Sequence, residues 1–454
     1  MSSTLLLKNA RLIATMDDQR RELTDASILI RGSLIEAVGP ANELPTSADR
    51  VIDLSGQVVL PGLINTHHHM FQSLTRVLPA AQDAELFDWL SALFPVWARL
   101  TPEMARTATR TAVAELMLSG CTTAMDQAYL YVNGIQLEDS IQAASELGIR
   151  FHAGRGAISL GQSRGGLPPD VLVEADEQAI LDDMQRVIER YNDPAFDAMV
   201  RVAVAPSSPF TVTRELMLET GRLARAYGVG MHTHTAENWK DVEFCQSVYG
   251  MTPAQYVEEV DWLGENAWHA HCVKLDDPGI ALFARTGTGV AHCPCSNMRL
   301  ASGLAPVRKM RDAGVKVGLG VDGSASNDSN HLLNEARQAM LSARVRDENP
   351  AAMSAREALE LATRGGAEVL GRAAALGRIQ AGYCADIISF RCDDISLAGA
   401  QVDPLAALVF CTPPRVCHSI INGRQVIADG QLLSAELPLL VEQHNQLATK
   451  LLGT

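Results

Sequence analysis

The sequence predicts an α/β protein, a (β/α)₈ barrel joined to a small β-sandwich-like domain that both chain ends build. Two observations predict this fold. Residues 60–375 alternate strand-like apolar runs with amphipathic helical stretches, the pattern of a barrel. Residues 1–59 and 376–454 instead carry short β-branched runs punctuated by Gly and Pro, the pattern of sheets. The 454 residues suffice for a barrel of ~250 residues or more with an appendage.

The strand candidates of the two chain ends share the same residue pattern, so we assign them to one discontinuous domain. In the N-terminal segment they read TLLLKNARLIA, ASILIRGSLIEAVG and RVIDLSGQVVLPG, and in the C-terminal segment ADIISF and CHSIINGRQVIADGQLL.

Eight strand candidates in the middle segment give the barrel its count. They read VVLPGLINTHHH, GCTTAMDQ, GIRFHAGRG, MVRVAVAPSSPF, GVGMHTHTAE, AWHAHCV, TGVAHCPCSN and VKVGLGVDGS. In such barrels the chemistry lies at the carboxyl ends of the strands, so polar residues that end these runs are the candidates for function.

The charge and composition of the chain limit the kinds of partner and the cellular location that we expect. Lys and Arg number 38 against 53 Asp and Glu, a net charge of −15 that disfavours nucleic acid and anionic membranes. The chain shows neither a signal peptide nor an apolar run of ~18 residues. Nine cysteines without a C-x-x-C pair are typical of reduced thiols. We therefore expect a cytoplasmic protein.

Histidines follow the first barrel strand. Residues two apart on a strand point to the same side, so His67 and His69 are expected to share a face while His68 points away. Imidazoles placed in this way are candidate metal ligands.

Later strands offer similar groups. His232 and His234 share a face on the fifth strand, with Glu237 three residues on; spacing alone slightly favours His234 as the ligand. His269 and His271 are expected to share a face on the sixth strand. Asp322 ends the eighth strand, where a carboxylate is costly to desolvate unless it binds a cation or a proton donor. Histidines and one aspartate from strands one, five and eight make a set that suits zinc.

The order of these motifs resembles the amidohydrolase superfamily, in particular its aminohydrolase branch, which includes guanine, cytosine and S-adenosylhomocysteine deaminases. The resemblance spans the whole chain and is carried by NTHHH at 65–69, HTAE at 234–237, AHC at 270–272, VDG at 321–323 and ING at 421–423.

The resemblance implies a role for each matching residue. His67, His69, His234 and Asp322 become the metal ligands, and His232 becomes structural. Glu237 becomes the proton shuttle, His271 holds the attacking hydroxide, and Asp322 also takes part in proton transfer. Because the fourth strand, MVRVAVAPSSPF, has no lysine to bridge two metals, we expect one divalent ion, zinc with iron as the alternative.

Within that branch the chain resembles the 8-oxoguanine deaminases, which implies hydrolysis of 8-oxoguanine to uric acid and ammonia. The segments that carry this likeness are HHHMFQ at 67–72, LTR at 74–76, FPVWA at 94–98 and 155–169. Ser207 stands where that subgroup is expected to carry cysteine. Deamination of a pterin such as isoxanthopterin, or removal of an alkylamine from a hydroxytriazine, stays open as an alternative. So does a barrel scaffold without activity.

A flat polar heterocycle needs an amide to read its edge and apolar walls to enclose it. Gln72 could pair with a lactam edge, Trp97 could belong to a lid or to a core helix, and Arg155 could meet a substrate carbonyl or an acid of the rim. We expect a small heterocyclic substrate and, on general grounds, a homo-oligomer, with a dimer as the simplest case.

Overall fold

The computed structural model describes residues 3–453, which contain seventeen strands and fifteen α-helices. The strands are β1 (Thr4–Ala14), β2 (Glu22–Arg31), β3 (Leu34–Pro40), β4 (Arg50–Asp53), β5 (Gln57–Pro61), β6 (Leu63–Asn65), β7 (Cys121–Ala128), β8 (Arg150–Ala157), β9 (Val200–Pro206), β10 (Gly230–Thr235), β11 (Ala267–His271), β12 (Gly289–His292), β13 (Lys316–Leu319), β14 (Ile387–Arg391), β15 (His418–Ile421), β16 (Arg424–Ala428) and β17 (Gln431–Leu432).

The α-helices are α1 (Leu86–Trp97), α2 (Pro102–Leu118), α3 (Leu137–Leu147), α4 (Glu177–Tyr191), α5 (Arg214–Tyr227), α6 (Trp239–Tyr249), α7 (Pro253–Glu259), α8 (Asp277–Thr286), α9 (Pro294–Arg299), α10 (Val307–Asp312), α11 (Leu332–Arg346), α12 (Ala355–Glu360), α13 (Gly366–Val369), α14 (Pro404–Phe410) and α15 (Leu437–Leu452). A π-turn, Leu361–Gly365, joins α12 to α13. Short 3₁₀ turns occupy Ala41–Glu43, Met70–Thr75, Pro79–Ala81, Gln162–Arg164, Asp170–Leu172 and Ile395–Leu397.

Strands β6 to β13 form a closed parallel barrel in chain order, which confirms the predicted fold. Each of the eight predicted runs supplies one barrel strand, and Leu319 of β13 pairs with Asn65 of β6 to close the ring. The turns between helices and strands are tight where the sequence supplies Gly: Gly228, at φ +64°, ends α5 two residues before β10 begins.

The remaining strands form one nine-stranded sheet in the order β17-β16-β15-β14-β5-β1-β2-β3, with β4 paired to β1. Both chain ends thus build a single sheet, as predicted. A buried ion pair joins it to the barrel, because the Arg150 guanidinium on β8 lies 2.7 Å from Asp386, which immediately precedes β14. The domain limits at residues 59/60 and 375/376 stay a prediction.

The last helix, α15, returns to the barrel side of the molecule. Its His444 Nε2 donates to the carbonyl of Ser73, 3.0 Å away, in the 3₁₀ turn that follows the first barrel strand. No helix within residues 3–453 combines the length and the apolar character needed to cross a bilayer.

Candidate active site

His67 and His69 follow β6, and their rings meet edge to face with centroids 4.7 Å apart. They share a side as expected. The hydrogen bonds fix the orientation of the His69 ring, whose Nδ1 lies 2.9 Å from the carbonyl oxygen of Gln127. A carbonyl can only accept, so Nδ1 carries the proton of the neutral ring and Nε2 presents a lone pair to the barrel centre.

A hydrogen bond to His232 fixes His67 in the same tautomer, with the proton on Nδ1 and a lone pair on Nε2. The Nδ1 of His232 lies 2.9 Å from the Trp268 carbonyl and must donate to it, which leaves His232 Nε2 as an acceptor. That nitrogen lies 2.8 Å from His67 Nδ1, so His67 donates here and its Nε2 keeps a lone pair. Both nitrogens of His232 are therefore occupied by protein partners. His232 orients His67, in the way that outer partners orient metal-binding histidines.

His234 completes the set from β10. Its Nδ1 donates to the Ser207 carbonyl at 2.6 Å, and its Nε2 lies 3.1 Å from His69 Nε2. Two neutral lone pairs at that separation repel each other unless a cation lies between them. Burial lowers the pKa of His67, His69 and His234, which keeps all three imidazoles neutral and able to coordinate.

The separations fit a single ion. Two ligands of tetrahedral zinc at ~2.0–2.1 Å from the metal lie about 3.3 Å apart. The Oδ1 of Asp322 lies 3.2 Å from His67 Nε2 and 3.5 Å from His69 Nε2, beside the 3.1 Å between His69 and His234. The buried His67 Nε2 has no hydrogen-bond partner within the described chain. Three imidazoles and one carboxylate with these spacings fit a divalent metal.

Two serine hydroxyls fix the Asp322 carboxylate. Ser296 and Ser326 donate to its Oδ2 at 2.5 and 3.0 Å. The backbone at Asp322 has φ +63°, a left-handed conformation that is uncommon for a residue with a side chain. The hydroxyls and this backbone together aim Oδ1 at His67 and His69.

His271 and Glu237 lie on the opposite side of the same space. His271 Nδ1 lies 2.9 Å from Asn297 Oδ1, and its Nε2 lies 3.6 Å from Glu237 Oε2 and 3.9 Å from Asp322 Oδ2. Burial lowers the pKa of His271, but Glu237 and Asp322 outweigh it and hold that pKa above its ordinary value. Burial raises the pKa of Glu237 to about 7, with His271 opposing the rise. A carboxyl group poised in this way can both accept and donate a proton at neutral pH.

The expectation that His269 and His271 share a face is wrong. His269 bonds Thr235 Oγ1 and the Trp262 carbonyl, and its ring packs against Phe283 of α8, outside the barrel. His271 has φ +71°, and this left-handed residue breaks the alternation of the strand. Ala236 and Cys272 also have positive φ, so unusual backbone is concentrated beside the site.

A pocket opens beside these groups. Its apolar wall comes largely from α1, and a polar rim comes from the turn after β9. The lining residues beyond the metal-facing set are Gln72, Leu86, Trp89, Leu90, Phe94, Tyr129, Ile158, Ser207, Ser208, Phe210, Thr211, Leu300 and Ser326.

Gln72, the residue predicted to pair with the edge of the substrate, is buried in this pocket. Its Nε2 donates to Tyr129 Oη at 3.3 Å, and its Oε1 accepts from the Ala325 amide at 3.4 Å. A Cβ at position 323 would lie 1.9 Å from Gln72 Oε1, so the glycine after Asp322 makes room for this amide.

Trp97 lies behind the pocket wall. It is buried, its Nε1 donates to Thr75 Oγ1 at 3.2 Å, and its ring meets Phe71 and Trp89. Trp89 and Phe94 of the same helix line the pocket instead. Helix α1 thus forms a wall of the site, as one of the two interpretations expected, but through Trp89 and Phe94 and not through Trp97.

Arg155 does not line the pocket, which contradicts the expectation that it meets the substrate. Its guanidinium bonds Glu174 and Asp183, each at 2.7 Å, and stacks on Tyr131. Its side chain leaves the barrel towards Asp183 of α4. The other expectation, an ion pair with an acid, is the one that the structure bears out.

Sequence reasoning missed several groups of the site. Tyr129 and Ser326 lie in loops, and Ser296 and Asn297 lie in the short helix α9. Only their contacts with Gln72, Asp322 and His271 give them a role. No spacing signal in the sequence would have found them.

Comparisons with known proteins agree with this geometry. Residues 58–426 match the Amidohydrolase family. The 8-oxoguanine deaminase of Pseudomonas aeruginosa is 41% identical over 93% of this chain and 94% of its own length. An isoxanthopterin deaminase of an unknown prokaryotic organism is 34% identical over 98% of this chain and 97% of its own. The crystal structure of atrazine chlorohydrolase TrzN from Arthrobacter aurescens TC1, complexed with zinc, is 35% identical, with a TM-score of 0.93 over 98% of this chain and 100% of that one.

The chain belongs to the amidohydrolase family, as its ordered motifs predicted. Within that family it is a metal-dependent aminohydrolase, a hydrolytic deaminase that acts on a small heterocycle. The prediction of an enzyme is thereby confirmed, and a barrel without activity is disfavoured by the complete set of polar groups.

Proposed function

We propose that this enzyme hydrolyses 8-oxoguanine to uric acid and ammonia. The observation that carries the proposal is the buried Gln72 amide, which lies in an apolar pocket beside Glu237 and Asp322. An amide offers one donor and one acceptor, the complement of a lactam edge. The 41% identity with the Pseudomonas aeruginosa 8-oxoguanine deaminase supports this substrate.

We infer one divalent ion, zinc rather than iron, held by His67, His69, His234 and Asp322. The nitrogen and oxygen donors described above support this assignment, and β9 offers no lysine for a second ion. When bound, such an ion lowers the pKa of a coordinated water towards neutrality and so supplies a nucleophile.

The protein residues then handle the protons. Glu237 takes a proton from the attacking water and delivers it to the ring nitrogen next to the carbon that bears the amine. His271, held by Asn297, donates from Nε2 to the attacking oxygen and stabilises the charge that develops there. Asp322 passes the second proton of the water to the amine, which leaves as ammonia. Atoms balance, since water supplies the oxygen of the product and both protons.

The residues that line the active-site pocket set the specificity for the substrate. Trp89, Leu90 and Phe94 of α1 enclose the ring plane and exclude water. Gln72 reads the edge, because its amide keeps one N–H donor and one acceptor lone pair beyond its bonds to Tyr129 and the Ala325 amide.

Isoxanthopterin is the second candidate, supported by the deaminase of that pterin at 34% identity over nearly the whole chain. A hydroxytriazine stays an alternative, supported by 36% identity with the hydroxydechloroatrazine ethylaminohydrolase of a Pseudomonas species. The deciding experiment measures ammonia release from 8-oxoguanine, guanine, isoxanthopterin and a hydroxytriazine at equal concentrations. A kcat/KM that is highest for 8-oxoguanine supports the proposal, and a clear preference for another ring overturns the substrate while leaving the metal chemistry intact. The homodimer and the cytoplasmic location stay predictions.

A further inference from the structure

A second cavity lies at the amino-terminal end of the barrel, opposite the active site. It has a volume of about 220 Å³, and we call it the basal cavity. The polar residues that line it are His152 of β8, Arg201 of β9, Asn192 before β9, Glu265 and Asn266 before β11, and Arg372 after α13, with Trp268 of β11 beside them. His152 and Arg201 are register partners on β8 and β9, so they lie side by side.

The basal cavity is cationic in a protein whose net charge is −15. The guanidiniums of Arg201 and Arg372 bond backbone carbonyls, those of residues 194 and 195 and of 196 and 198 respectively. Within residues 3–453 neither has a carboxylate oxygen at ion-pair distance. Asp386 is already used by Arg150, and Glu265 is an exposed residue at the rim.

The pKa values of two residues that line the basal cavity, His152 and Arg372, reflect the same excess of positive charge. Burial lowers the pKa of His152 well below its ordinary value, and the three arginines 372, 201 and 150 lower it further. Burial and the other two guanidiniums also lower the pKa of Arg372 to about 10. Like charges held this close repel one another, so an anion between them would relieve the repulsion.

Two buried polar atoms at the basal cavity have no partner in the described chain: His152 Nε2 and Arg201 Nε. His152 is 5% exposed and Arg372 is 4% exposed, so water has little access to either. The Nε–H of an arginine can only donate, and a buried donor without an acceptor is unfavourable. The partner that Arg201 Nε lacks is therefore an acceptor.

We propose that the basal cavity binds a small oxyanion, a phosphate or carboxylate group, between Arg201, Arg372 and His152. Guanidinium groups recognise such oxygens through parallel N–H donors, and neutral His152 can donate from Nε2 in the tautomer that carries its proton there. The exposed rim at Glu265 leaves an entrance, and the volume accommodates an anion with a small substituent.

The test is isothermal titration calorimetry of the zinc-loaded enzyme with sodium phosphate and, separately, sodium acetate, at an ionic strength held constant with sodium chloride. We expect saturable binding of at least one of these oxyanions. Arg201→Gln should weaken it by about tenfold or more, since a charge-assisted hydrogen bond is lost. His152→Phe keeps the ring shape and should weaken binding as well, which guards against misfolding of either single variant.

Arg222→Gln is the matched control, because Arg222 lies exposed on α5 and pairs with Glu219. This variant should bind like the wild type, and deaminase turnover should stay unchanged in Arg201→Gln because the active site lies at the other end of the barrel. Absence of binding by both anions overturns the proposal and leaves a water-filled cavity. Binding that is equal in wild type, Arg201→Gln and His152→Phe also overturns it, since the anion would then occupy the metal site.

Discussion

Replacing Glu237 by glutamine tests the proton transfers directly. The carboxyl group is 4% exposed and faces His271, and burial raises its pKa to about 7. Glutamine has nearly the same shape and still donates a hydrogen bond, but it cannot accept a proton from water or deliver one to the ring. A general acid–base group contributes ~10²–10⁴-fold. Because Glu237 serves as both acid and base, we expect turnover to fall by at least about 100-fold.

The assay is ammonia release at saturating substrate, with metal content determined on the same sample by elemental analysis. Glu237 is not one of the four groups that fit the ion, so Glu237→Gln should retain its metal. The expected outcome is therefore a loss of kcat at unchanged metal content.

Glu335→Gln is the matched control for this experiment. Glu335 is also buried, and burial raises its pKa to about 7, but its carboxylate bonds the Cys295 amide and the Asn327 side chain outside the pocket. We expect a much smaller change in kcat for this variant. Turnover of Glu237→Gln within about tenfold of the wild type would refute the shuttle role. An equal loss in both variants would show that the loss comes from replacing a buried carboxyl group and not from the lost proton transfer.

Three further predictions concern the metal, the substrate and the link between barrel and sheet. His232→Phe removes the acceptor for His67 Nδ1 and should weaken metal affinity by about 10–100-fold, measured by competition with a chelator; unchanged affinity would refute the orienting role. Gln72→Leu should lower kcat/KM for 8-oxoguanine by about tenfold or more while metal content stays constant, whereas equal kcat/KM would remove the amide from recognition. Arg150→Met leaves the buried Asp386 without its ion-pair partner and should lower the free energy of unfolding in urea by about 3–5 kcal/mol; a loss below about 1 kcal/mol would show that the pair is not stabilising.

Parts of the fold and the site could be predicted because local rules govern them. Strand periodicity placed His67 and His69 on one side, and the alternation of strands and helices gave the count of eight. The same periodicity failed at His271, where a left-handed backbone turns the side chain away from that of His269. It also left Arg155 undecided, because strand alternation alone does not say which face of β8 the helix α4 covers.

The choice between His232 and His234 marks where sequence reasoning ends and tertiary structure decides. Both histidines lie on one face of β10, and only the Trp268 carbonyl and His67 show that both nitrogens of His232 are occupied. Asn297 and the two serines that hold Asp322 acquire roles in the same way, through contacts between distant segments. The barrel, the sheet of both ends and the residue types that can hold a metal could be inferred from the sequence, because periodicity and donor chemistry are local. Tertiary structure decided tautomers, pocket walls and the basal cavity, because each depends on which groups the folded chain brings within hydrogen-bond distance.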